Sequence, residues 1–269
     1  MPSLTSEPST LDHHYVVRSR RAEPRKLGSQ ASGGVKTTTV GYIDRFRSGK
    51  AYTVAQAARL AETSPATVRR WLKGYDAPRH HMEPVFGAKD QDGSRLSFLE
   101  LVELIVASRF RRRTDSHRGI PLDTIRNAHS FARDRWGLPY PFASLKLLHD
   151  GVHILREFDT EQPGGSKLLA LDAGGQWALP GALTEQFENH LEFSQRPKDP
   201  FAIRWRPYGM DVPIVVDPHM AGGQPTVAGR AITIETLRSR RARGESTQSL
   251  ADDYDLPLRI VEDVLERAA

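Results

Sequence analysis

Arg69, Arg70 and Lys73 stand close together in the stretch SPATVRRWLKG, residues 64–74. Their long cationic side chains are suited to holding anions, and two guanidiniums beside a capped helix start suit phosphates and guanine edges. A second basic group, Arg238, Arg240, Arg241 and Arg243, lies in TLRSRRARG, residues 236–244. It suits a carboxylate-lined surface on another protein, although a solvated basic helix end is the plainer reading. Catalysis finds less support. The acids are scattered, no glycine-rich phosphate loop precedes a helix, and no Ser-His-Asp constellation is apparent. Asp217-Pro218-His219 reads as a turn. His149 and His153 flank another turn instead of sharing a helix face, so they read as a packed or solvated pair and not as metal ligands. No catalytic residue, metal or cofactor is assigned, and the chain does not read as an enzyme.

The elements that position the first basic group follow from local patterning. Thr53 is suited to cap a helix whose apolar positions Val54, Ala57, Ala58 and Ala61 share one face. After Glu62-Thr63, Ser64 is a good N-cap and Pro65 sits where a missing N–H costs nothing. The second helix runs from Pro65 to Lys73, with Val68, Trp71 and Leu72 inward and Thr67, Arg69, Arg70 and Lys73 outward; Gly74 ends it. A turn-rich stretch follows, with a hairpin signal at Asp92-Gly93. It reads as a wing carrying Arg79, His80, His81, Lys89 and Arg95. Then comes a long apolar helix over SFLELVELIVASRFRRR, with Arg109, Arg111, Arg112 and Arg113 at its C-terminal end. A further helix begins at Pro121 and ends at Gly137.

The 269 residues allow more than one core, and the net charge of +5 with a pI near 9.5 suggests a polyanionic partner. Cysteine is absent, which excludes disulfides, thiol catalysis and cysteine-held zinc. No apolar run approaches the ~20 residues of a membrane span, and no signal peptide is apparent, so a cytoplasmic protein is expected. Residues 1–40 are polar, with a basic patch at VVRSRRAEPRK, and read as a disordered tail. The expected organisation continues with a DNA-binding region over 41–138, a small α+β segment over 139–212 and a helical region over 213–269. In the middle segment, hairpins are expected around residues 149–151 and 174–175, a short amphipathic helix over GALTEQFENHLEF, and strands at AIRWRP and PIVVDP. The fold class expected is mainly α with small β elements.

The pattern of helix, Ser-Pro, V-R-R-W, wing, long helix and G-I-P-L-x-x-I over residues 52–137 resembles the winged helix-turn-helix domain of MerR-type regulators. Glu62 departs from it, standing where such turns commonly carry glycine. The C-terminal stretch, with V-D-P, G-x-P-x-x-x-G, L-A-x-D-Y-x-L and V-x-x-V-L, resembles a compact three-helix domain found in bacterial antitoxins. In tandem, the two resemble VapB-type antitoxins encoded beside a PIN-type ribonuclease toxin. That resemblance implies an antitoxin that binds double-stranded DNA at its own promoter, as a homodimer, and represses its operon. The expected DNA-binding residues are Ser64, Thr67, Arg69, Arg70, Lys73, Arg79 and Arg95, and the expected toxin-binding residues are the four arginines from Arg238 to Arg243. The alternative is a free-standing MerR-like regulator that senses a small molecule. Charge selects between the two helical regions: residues 252–267 hold six acids against Arg259 and Arg267, which phosphates would repel.

Overall fold

A computed structural model describes residues 44–267, less 78–79, 87–93, 114–118, 145–147, 150–153, 160–165, 171–172, 174–175, 179–183, 186, 188 and 196–200. The tail over residues 1–40, the Asp92-Gly93 turn, Lys89 and His153 therefore lie outside the described residues. The chain opens with α1 (Arg45–Ser48), β1 (Tyr52–Thr53), α2 (Val54–Leu60) and α3 (Pro65–Lys73). Thr53 caps α2 in a capping box with Gln56, and Val54, Ala57, Ala58 and Ala61 are buried, as their spacing implies.

Next come β2 (Tyr75–Ala77) and β3 (His80–Met82), paired as an antiparallel hairpin, then β4 (Arg95–Leu96) and α4 (Phe98–Arg111). Gly74 makes the bend from α3 into this hairpin. Its φ is +73°, and a Cβ there would lie 2.4 Å from the Met82 carbonyl oxygen, so only glycine fits. Strand β4 does not belong to the hairpin. It pairs with β1, placing Arg95 opposite Thr53.

Helix α4 starts from a capping box of Ser97 and Glu100. Its residues from Phe98 to Ser108 are all buried, and so is Phe110. An amphipathic stripe buries one side only; burial all round makes α4 the hub of the fold. It therefore has no free face for self-association over Phe98–Ser108. Each fully buried Leu, Ile or Phe here contributes roughly 1.5–3 kcal/mol of transfer free energy. Helix α5 (Leu122–Trp136) packs alongside and ends at Gly137 in the left-handed conformation. Between them, Glu103 and His129 form a fully buried pair, with Nε2 to Oε1 at 3.1 Å.

The middle of the chain is more β-rich than expected. Strands β5 (Leu148–His149), β6 (Ile154–Asp159), β7 (Ser166–Ala170), β8 (Gln176–Ala178) and β9 (Thr184–Glu185) form one sheet in the order β8-β7-β6-β5-β9. Both expected hairpins are present in it. Among the described residues of GALTEQFENHLEF there is no helix, contrary to expectation. That stretch carries β9 and β10 (Leu191–Phe193), the latter paired with β11 (Ala202–Trp205). Phe187 and Leu191 are spaced as one helical face, but they are instead drawn into the core around α4. Among the described residues of 139–212 there is no helix, and the molecule is a mixture of α and β with short antiparallel pairs.

The C-terminal part begins with β12 (Ile214–Val215), paired with β13 (Thr226–Val227). Helices α6 (Ile234–Ala242), α7 (Thr247–Tyr254) and α8 (Leu258–Arg267) follow, the first two capped by Thr233 and Ser246. Two apolar clusters result. One gathers residues from Tyr52 to Val216 around α4; the other gathers residues from Val212 to Val264 among the last three helices. No helix among the described residues is long and apolar enough to cross a membrane.

Candidate nucleic-acid interface

The turn between α2 and α3 is built on a backbone exception. Glu62, at the position where glycine was expected, takes the left-handed conformation with φ of +51°. Its carboxylate meets the Arg112 guanidinium at 2.7 Å. Ser64 then caps α3, its Oγ accepting the Thr67 N–H at 3.0 Å and lying 2.9 Å from Thr67 Oγ1. Val68, Trp71 and Leu72 anchor the helix, while Arg69, Arg70 and Lys73 are exposed. The Arg70 guanidinium lies 5.3 Å from the centroid of the Tyr75 ring, at the start of the hairpin.

The structure thus brings Ser64, Thr67, Arg69, Arg70 and Lys73 onto one helix. Arg79 lies outside the described residues. Arg95 is exposed on β4 with its guanidinium 3.3 Å from the Ala51 carbonyl, so it does not ride on the hairpin as the sequence suggested. On the hairpin itself, His81 Nδ1 lies 2.7 Å from Asp76 Oδ1, and that hydrogen bond holds the imidazole pKa above its ordinary 6.5.

The arginine run after α4 divides in a way sequence did not reveal. Arg109 turns inward to the Pro207 carbonyl at 3.1 Å and to His190, and burial pushes its pKa down. Arg111 and Arg112 line a groove that also holds Thr67, Arg70 and Tyr75. Spacing alone marked all of them as partners of a helix end.

Helices α7 and α8 repeat the arrangement of α2 and α3. Asp255, between them, has φ of +50°, matching Glu62. The shift that carries Glu62 onto Asp255 also carries buried Ala58 onto buried Ala251 and buried Val68 onto buried Val261. It carries Arg69, Arg70 and Lys73 onto Glu262, Asp263 and Glu266. The same backbone device therefore presents cations in one unit and carboxylates in the other.

The four C-terminal arginines do not act alike. Arg240 is tied within the domain: its Nε donates to Glu245 at 2.8 Å, it also pairs with Asp253, and it lies over the Tyr254 ring. The hydrogen bond from Arg240 in turn lowers the Glu245 pKa. Arg241 reaches the Glu245 carbonyl and Arg243 the Ser239 hydroxyl, both from exposed positions. Arg238 borders a cleft of about 620 Å³ between α2 and the C-terminal helices, walled by Leu60, Trp205, Tyr208 and Ile234.

Residues 214–267, nearly the extent of the second apolar cluster, match the family described as Protein of unknown function (DUF433). The chain is 28% identical over 234 residues to a protein of Mycobacterium tuberculosis (strain ATCC 25618 / H37Rv) named "Putative antitoxin VapB45". The match takes in 81% of this chain and 93% of that one. The two are relatives along most of their length. A second protein of that organism, named "Uncharacterized protein Rv2308", is 26% identical over 219 residues, with 80% and 88% covered. The crystal structure of Rv2018 from Mycobacterium tuberculosis aligns over 80% of this chain and 97% of its own with a TM-score of 0.53. At 22% identity, that likeness speaks for a shared fold.

Proposed function

We propose that the chain is a DNA-binding antitoxin: it neutralises a PIN-type ribonuclease toxin and represses its own operon. The observation that carries the reading is the capped helix α3, which presents Arg69, Arg70 and Lys73 while its counterpart α8 presents acids at the same positions. A recognition helix of this kind enters the major groove with its basic side chains on phosphates and guanine edges, and the β2–β3 hairpin is the wing beside it. Ser64 and Thr67 would meet phosphates at the helix start, and Arg79 and Arg95 would extend the contact. One such head covers few base pairs, so a homodimer on a palindrome is required for specificity, formed through surfaces other than α4. The acidic α8 cannot follow into a groove. Its domain is left to the toxin, with the exposed Arg238, Arg241 and Arg243 placed to cover acids of a nuclease site. The relationship to a protein named as an antitoxin supports the antitoxin part of this reading.

The test is co-expression with the neighbouring nuclease gene, followed by co-purification and a gel shift on the upstream duplex. Joint purification and a shift are expected. A chain that neither binds the nuclease nor shifts the duplex refutes the reading. A second reading, a regulator sensing a small molecule, is favoured by the 620 Å³ cleft, which is of ligand size. It requires a metabolite that changes duplex affinity in the absence of any toxin.

A further inference from the structure

Beside α3, a groove of about 410 Å³ runs to the last turn of α4. Three guanidiniums line it, those of Arg70, Arg111 and Arg112, together with the hydroxyl-bearing Thr63, Thr67 and Ser108. Among the described residues, each arginine is held by one side-chain contact: Arg70 over Tyr75, Arg111 by the Ile120 carbonyl at 3.4 Å, and Arg112 by Glu62 at 2.7 Å. A guanidinium has five N–H donors, so each keeps donors to spare. One carboxylate, Glu62, stands against the three cations, which selects an anion and rejects a metal ion.

Ser108 supplies an independent sign. It is 8% exposed, and its Oγ has no hydrogen-bond partner. A serine hydroxyl within a helix ordinarily bonds back to a carbonyl of the preceding turn. A buried hydroxyl without a partner costs free energy until a ligand engages it. Ser108 itself borders the groove walled by cations.

We propose that this groove is a clasp for a single phosphate group, supplied by the DNA backbone next to the helix that reads the bases. The inference deepens the DNA-binding reading and rests on it for the source of the phosphate. The clasp itself requires only phosphate chemistry. Arg111 and Arg112 would fix the register of the duplex and carry no sequence preference, leaving discrimination to Arg69.

The experiment uses the full chain and an Arg111→Gln, Arg112→Gln variant. Binding is measured by fluorescence anisotropy across a salt series, on the duplex upstream of the gene and on a scrambled duplex of equal length. The variant should lose affinity by the same factor on both, and its slope of log K against log salt should be shallower by about 1. Ser108→Ala should weaken both by a smaller factor at unchanged melting temperature. If the glutamine pair fails to fold by circular dichroism, Arg111→Lys with Arg112→Lys replaces it, and equal weakening on both duplexes is again expected. Unchanged affinity and slope would overturn the clasp. So would a lower melting temperature with an unchanged slope, since the arginines would then serve only the end of α4. If the unaltered chain binds neither duplex, the DNA reading fails and free phosphate is the remaining source. Inorganic phosphate is then titrated by phosphorus NMR: line broadening lost in the variant upholds the clasp, and no broadening overturns it.

Discussion

The phenol of Tyr52 donates a 2.8 Å hydrogen bond to the carbonyl oxygen of Gly223, and a Cβ on Gly223 would lie 2.2 Å from that same phenol oxygen. Tyr52 opens the strand that leads into α2; Gly223 precedes the C-terminal helices. The start of the basic unit and the start of the acidic one are thus fastened by a contact buried enough to push the phenol pKa up. Replacing Tyr52 with Phe keeps the ring and removes the bond, at a cost of roughly 1 kcal/mol. Gly223→Ala meets both the phenol and a φ of +79°, so its loss should be larger. Urea midpoints of the two variants check the order; an alanine variant as stable as the parent would deny the close approach.

Arg69→Ala with Arg70→Ala should weaken duplex binding, by about 1–3 kcal/mol for the base contact of Arg69 and further for the phosphate contact of Arg70. Both side chains are exposed, so the melting temperature should hold. Gel-shift titration decides, and unchanged affinity removes the two residues from the interface.

Among the C-terminal arginines, Arg240→Ala should lower the melting temperature most, because Arg240 alone of the four joins Glu245, Asp253 and Tyr254. Arg238→Ala, Arg241→Ala and Arg243→Ala should leave it nearly unchanged and act, if at all, on nuclease binding. Calorimetry of the four single variants separates the two groups. Equal melting temperatures would show that the Arg240 network contributes nothing.

The Asp76–His81 contact makes the hairpin sensitive to pH. The folded imidazole pKa is raised, so its stabilisation is complete below 6.5 and is lost as pH rises through the higher folded value. The same proton adds a positive charge near the proposed groove contact. Duplex affinity should therefore fall as pH rises through the raised imidazole pKa, and fall less in His81→Gln. Parallel pH profiles for the two proteins would exclude His81 as the cause.

Within the core, Glu103→Ala would strip His129 Nε2 and the Phe142 N–H of their carboxylate partner. Each orphaned buried group costs roughly 1–3 kcal/mol. Chemical denaturation should show a loss well beyond that of Tyr52→Phe; a smaller loss would mean that the core readily repacks around the site.

The basic unit was legible in the sequence because its signals are local. Thr53, Ser64, Pro65 and Gly74 act on their own backbone within one helical turn, and the helices they bound lie where those residues put them. Glu62 was legible as an exception, and it takes the strained conformation all the same. The failures are non-local. Phe187 and Leu191 have helical spacing, but their surroundings are set by α4, far earlier in the chain. Arg95 was assigned to the hairpin by proximity in sequence, whereas β1, across α2 and α3, claims its strand. Nor does the run Arg109 to Arg113 disclose which side chains turn inward.

The central position of α4 governs how the protein can be taken apart. The Phe110 ring stands edge-on to Phe187 at 5.5 Å and to Phe142 at 6.3 Å, and both partners come after Gly137. A protease cutting in the middle segment would not release a stable N-terminal fragment. It would expose the apolar flank of α4 to water, and both pieces would become substrates for further digestion. The molecule's lifetime is then set by a single event: the first cut undoes both halves together.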